Sequence, residues 1–232
     1  MSSQSAVAES CPPISGGQPA LEQVDVEQRI QFIRDRMAYD ASKARTWSEA
    51  WTITWGVLTG GQLALLAFFD GDAQADLYVG AGSSFIGLAG QLILPLSVKS
   101  DQTRLENHIN MVGRAAERCK LLEHAEKVFI ENAENEADGV HWLMHGANVL
   151  INVGAMLILG LGFDRWDSGA INGAIGIALG ELMIFSQPTG LIDDLERYRR
   201  GEIGDLDKTA WEWNLAPVIT HNGYSLQLVV SF

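Results

Sequence analysis

Apolar and polar positions in this chain are sorted by segment rather than mixed. Four windows carry almost no charge: "AWTITWGVLTGGQLALLAFF" between Glu49 and Asp70, "LYVGAGSSFIGLAGQLILPLSV" between Asp76 and Lys99, "GVHWLMHGANVLINVGAMLILGLGF" between Asp138 and Asp164, and "SGAINGAIGIALGELMIFSQPTGLI" between Asp167 and Asp193. Each reaches the roughly 20 residues that a helix needs to cross about 30 Å of hydrocarbon. Soluble helices keep a polar face and avoid Gly, which costs about 1 kcal/mol relative to Ala in a helix interior. These windows have neither habit, and Gly is common in membrane helices, where it lets backbones approach. The pattern predicts an all-α membrane protein with four transmembrane helices in two hairpins, against the alternative of a soluble four-helix bundle.

The segments between the windows follow helical periodicity. Residues 26–49 read as an amphipathic helix with Ile30, Ile33, Met37 and Ala41 on one face. Trp47, Trp51 and Trp55 should mark its entry into the membrane, where amphipathic rings prefer to sit. Residues 99–138 form a long polar stretch with Leu105, Ile109, Val112, Ala116 and Cys119 near heptad spacing. It should be one helix that packs on the 26–49 helix or on a copy of itself. The expected organisation is a disordered tail at 1–25, the amphipathic helix at 26–49, a first hairpin at 50–98, the polar helix at 99–138, a second hairpin at 139–192, and a charged helix with a terminal β-hairpin at 193–232. The plan of charged helix, Trp, span, acidic turn and span occurs twice, which raises a duplication with the two hairpins in parallel orientation.

Period two appears only near the end. Trp211, Trp213, Leu215, Pro217 and Ile219 alternate, Asn222-Gly223 supplies a tight turn, and Tyr224, Leu226, Leu228, Val230 and Phe232 alternate after it. That is a β-hairpin signal with the second set on one buried face. The run from Tyr224 to Phe232 resembles the last strand of bacterial outer-membrane β-barrel proteins, which ends on Phe after alternating apolar residues. The resemblance implies an outer-membrane destination, but no other strands are available here for a barrel.

Charge adds orientation and removes one class of partner. With 29 acidic and 16 basic residues the net charge is −13, which argues against binding nucleic acid. Among the basic residues only Arg165 falls in a short turn between spans. The positive-inside rule therefore places both termini and residues 99–138 in the cytoplasm of an inner-membrane bacterial protein. The opening stretch has neither the basic nor the apolar region of a secretory signal. Cys11 and Cys119 are far apart and lack metal-site spacing, so they suggest neither zinc nor a disulfide framework.

Candidate chemistry is confined to the last two windows. Glu181 is the carboxylate inside a span, where a charge costs at least about 2.5–3.5 kcal/mol, so it should be protonated and paired. His141, His145, Asn148 and Asn152 share one helix face and can meet it across the hairpin. This cluster reads as interhelical glue, with a proton path of a small transporter or channel as the alternative. The two His residues lack the Glu of HExxH, and no metal or cofactor is expected. Gly169, Gly173, Gly176 and Gly180 form a flat strip suited to close packing within or between chains. No nucleophile elbow or phosphate loop is present, so the chain reads as a non-enzymatic, self-assembling protein of the lipid bilayer, a homo-oligomer held by the Gly-rich face and the terminal hairpin.

Overall fold

The computed structural model describes residues 11–12, 14–111, 118–203, 212–220 and 223–231, the last two stretches for their backbone alone. The described side chains all lie in helices or their connections. In order these helices are α1 (Pro19–Glu22), α2 (Val26–Leu65), α3 (Asp72–Ile93), α4 (Val98–Met111), α5 (Arg118–Gly139), α6 (Trp142–Phe163), α7 (Trp166–Phe185) and α8 (Gly190–Arg199). Three helical stretches, Asp72–Met111, Arg118–Phe163 and Trp166–Arg199, are long and apolar enough to cross a membrane. Their apolar portions are α3, α6 and α7. The expected first span, the second half of α2, does not meet that standard, because Thr52, Thr54, Thr59 and Gln62 dilute it. The chain divides into two compact units.

The first unit comprises Met1–Ala44, Leu96–Ala137 and Pro188–Ala210, and its described part packs as a soluble domain does. Asp25 starts α2 by accepting the Glu27 N–H at 2.9 Å. The predicted face follows: Ile30, Ile33, Met37 and Ala41 are all buried, together with Leu105, Leu121, Leu122, Phe129, Leu191, Leu195 and Tyr198. Phe32 stacks on Tyr198 at 5.7 Å and meets Phe129 edge-on at 6.4 Å. A bidentate pair ties Arg34 on α2 to Glu106 on α4, at 2.8 and 2.7 Å, so the polar segment does pack on α2, but it is not the expected single helix: α4 and α5 fold back on each other, with the His108 and His124 rings 4.6 Å apart and Asn132 Nδ2 donating to Asp101 at 3.2 Å. Val112 and Ala116 of its stripe lie outside the described residues.

Two expectations are corrected here. Residues 14–25 are not a disordered tail: Ile14 and Leu21 are buried, and Gln18 N–H donates to Arg199 O at 2.8 Å. Cys11 and Cys119 are joined by a disulfide, with Cα atoms 5.4 Å apart across 108 positions of sequence. Their wide separation hid it, since pairing depends on how the intervening helices fold back.

The second unit comprises Arg45–Pro95, Asp138–Gln187 and Trp211–Phe232, and its helices pack the other way round. Of the large apolar side chains exposed among the described residues, all but Tyr39 and Met111 belong to it. They include Ile53, Val57, Leu63 and Leu65 on α2, Phe85 and Ile86 on α3, Leu150 and Leu161 on α6, and Ile171 and Ile175 on α7. Many of its buried positions are small or polar, among them Gly80, Ser84, Gln91, Asn152, Gly173 and Gly180, beside the larger Leu159 and Ile184. Trp47, Trp51 and Trp55 are not membrane-surface anchors but are buried. Trp47 and Trp51 donate from Nε1 to Ser186 Oγ at 3.2 and 3.1 Å, and Trp47 also reaches Met183 O at 3.3 Å. An indole N–H needs a partner when buried, and the end of α7 offers acceptors. Among the described Trp side chains, Trp142 and Trp166, at the starts of α6 and α7, are the exposed ones.

Among the described residues, strand pairing is one antiparallel ladder of β1 (Glu212–Thr220) and β2 (Gly223–Ser231), in register from Glu212 opposite Ser231 to Thr220 opposite Gly223. Asn222 and Phe232 lie outside the described residues, as do the side chains of Tyr224, Leu226, Leu228 and Val230, so the expected buried face falls outside the description.

Candidate functional site

Helices α6 and α7 form an antiparallel pair in the second unit, and their facing positions are set by glycine. A Cβ on Gly169 would lie 2.8 Å from Met156 O, and one on Gly173 would lie 3.2 Å from Asn152 O. At Gly176 and Gly180 a Cβ would collide with the side chains of Asn152 and Asn148. All four glycines of the strip are therefore used within the chain. This corrects the expectation that the strip holds another copy, because its surface is already covered by α6.

The close approach lets the polar face of α6 reach Glu181. His145 Nδ1 lies 2.5 Å from Glu181 Oε2, and Asn148 Nδ2 donates to Glu181 Oε1 at 2.9 Å and to Ile177 O at 3.0 Å. Asn152 Nδ2 continues the line to Asn148 O and Oδ1, both at 2.9 Å. His145, Asn148, Asn152 and Glu181 thus form one connected set. His141 stands apart from it: it caps α6, its Nδ1 accepting the Leu143 N–H at 3.4 Å. Glu181 is level with Asn148, as the hairpin pairing predicts. It sits one turn before the end of α7 at Phe185, roughly 6 Å from that end at 1.5 Å per residue, while Asn152 is near the middle of α6.

Polar contacts continue toward the other end of the unit. Gln62 Nε2 on α2 donates to Leu58 O at 2.9 Å and to Ser84 Oγ on α3 at 3.2 Å, and Gly80 leaves the room that the Gln62 side chain fills. At the turn, Arg165 makes a bidentate pair with Asp76 at 3.0 and 2.5 Å and a second contact with Asp72 at 3.4 Å. In hydrocarbon every polar group needs an internal partner, and these side chains supply one another's.

Sequence reading missed the buried charges of the first unit. Arg29 Nε donates to Tyr198 Oη at 3.0 Å, its Nη2 pairs with Glu126, and Tyr198 Oη donates to Glu126 at 2.5 Å. Burial, then the neighbouring Glu126 carboxylate, pushes the Tyr198 hydroxyl well above its usual range, so it stays a donor. Burial alone would lower the Arg29 pKa, but the hydrogen bond to Tyr198 and the Glu126 charge leave it raised. Asp40, Glu136 and Asp194 are buried too, and Asp194 pairs with Arg36. A signal existed: Arg29 and Asp40 fall on the same stripe as Ile33 and Met37, and charge on a buried stripe marks a buried network. Among the described residues no group of three or more His, Cys, Asp or Glu could hold a metal ion. Comparison with family models, curated proteins and solved structures returns no match.

Proposed function

We propose that the chain is a non-enzymatic, multi-pass integral membrane protein of structural type that assembles with copies of itself. The observation that carries this reading is the reversal of packing between the two units. Large apolar side chains cover the outside of the second unit, while amides, hydroxyls and glycines share its inside with Trp47, Trp51, Trp55, Leu159 and Ile184, an arrangement suited to lipid. The exposed Ile53, Val57, Leu63 and Leu65 belong to the same belt, which supports the second half of α2 as a fourth, less apolar span. Two hairpins follow, with the basic segments on the cytoplasmic side. The disulfide speaks for an oxidising compartment on that side. Charge is read during insertion, however, whereas two sulfurs at bonding distance join only after folding, wherever an oxidant reaches them.

With the glycine strip occupied by α6, the remaining self-association element is the terminal ladder. Each strand of a two-stranded ladder has an outer row of N–H and C=O groups, a template for another strand. Removing residues 224–232 should reduce the mass of the detergent-extracted particle without releasing the protein from membranes; an unchanged mass would end the self-assembly reading.

Transport through the Glu181 cluster is the second reading, favoured by the short His145–Glu181 contact. It requires a side chain at 181 that gains and loses a proton, whereas the structural reading requires only hydrogen bonds there.

A further inference from the structure

Asp40 on α2 and Glu136 on α5 face each other inside the first unit, at 2% and 1% exposure. The start of α8 closes the third side. Leu191 N–H donates to Glu136 Oε2 at 2.9 Å, and a Cβ on Gly190 would stand 2.8 Å from Asp40 Oδ1. Among the described residues no N–H or O–H donor with an ordinary hydrogen reaches either oxygen of Asp40; what faces it is the Glu136 carboxyl. On the same helix Arg36 is held by Asp194, which brings a third buried carboxylate from α8, with Arg197 beyond it, and Lys43, one turn after Asp40, stands over the Tyr39 ring at 4.3 Å. Two buried carboxylates in contact do not both stay ionised.

We propose that Asp40 and Glu136 share a single proton, and that this proton is a pH-sensitive latch holding α2, α5 and the start of α8 together. Burial, then the hydrogen bond to Asp40, pushes the Glu136 carboxyl from 4.5 up to about 11, although the Leu191 N–H works against it. Because the folded value lies above the unfolded one, the contribution is full below about pH 4.5 and is lost as pH rises toward about 11. Within that window the folded chain holds one proton more than the unfolded chain, so the unfolding equilibrium constant grows about tenfold per pH unit from this pair. Asp40 is four positions before Ala44, Glu136 adjoins Ala137, and Gly190 is two positions after Pro188. At those points the chain passes from one unit to the other, so opening the latch loosens three of the segments on which the first unit is rooted.

The test is denaturant unfolding of the full chain in detergent across pH 5–10, for wild type and Glu136→Gln. The amide of Gln donates to Asp40 and its carbonyl accepts from Leu191, so the variant should fold and lose most of the pH slope. An identical slope in both proteins would overturn the latch. Should Glu136→Gln fail to fold, Asp40→Asn gives Glu136 an amide donor in place of a carboxylate and should move the slope to lower pH; a slope left in place would overturn it equally. Wild type at pH 8 should also show a protonated-carboxyl infrared band that persists in Glu181→Gln, and its absence would count against the shared proton.

Discussion

Asn152 is the innermost member of the α6 hydrogen-bond line, and its position explains the spacing of the others. It can turn its amide back to Asn148 because Gly176 opposite has no side chain, and Asn148 in turn is free to reach Glu181. Glu181→Gln keeps an acceptor for Asn148 and offers an N–H to His145. The loss in stability should then stay near the roughly 0.6 kcal/mol typical of one interhelical hydrogen bond. Unfolding of the detergent-solubilised protein in SDS measures this. Normal assembly of the variant supports the structural reading, and abolished function with intact assembly supports proton transport. The residue types at 145, 148, 152 and 181 and their common face were legible from spacing alone. That His141 would serve as a cap was not, because an i, i+4 pair looks the same in sequence whether or not the helix has already begun.

At the scale of elements, α6 and α7 are shaped for each other by what is absent. Gly176→Ala should destabilise the pair by about 1–3 kcal/mol, the usual cost of forcing atoms into a packed contact, since a Cβ there collides with Asn152. Gly154→Ala on α6 meets nothing within 4 Å and should be neutral or stabilising, by up to about 1 kcal/mol from helix propensity. Thermal unfolding of both variants checks the contrast; equal effects would show that the strip is not a tight contact. The sequence identified the strip but not its occupant, because small-xxx-small spacing fits any neighbour that approaches closely. The ends of α3, α6 and α7 were legible from charge and turn residues. The Trp residues of α2 misled because the same ring suits a lipid surface or a buried N–H acceptor.

For the whole molecule, the two units pack in opposite senses, and the first carries the disulfide. If the basic residues mark the cytoplasm, Cys11 and Cys119 should be reduced in living cells and bonded after purification in air. Maleimide applied to cells at lysis, before oxidation, should label both. Cysteines protected from maleimide until a reductant is added would reverse the orientation. Neither the bond nor the buried charges could be read from the order of residues, since each joins segments about 70 to 170 positions apart. The three long apolar helical stretches were legible because their signal is local composition, window by window.

The core of the first unit has one more consequence, for how the chain is made. Its three contributing segments, 11–44, 96–137 and 188–203, leave the ribosome with a stretch of the second unit between each and the next. The last to emerge brings Leu191, Leu195 and Tyr198, which close the ring cluster of Phe32 and Phe129 and complete the hydrogen bonds of Arg29. In the proposed two-hairpin arrangement, a copy whose second hairpin fails to insert holds α8 away from its place and keeps that cluster and a half-satisfied arginine open to water. Completion of this small core therefore reports that both hairpins have crossed, and a quality-control protease that cuts exposed apolar segments would spare only chains that have passed that inspection.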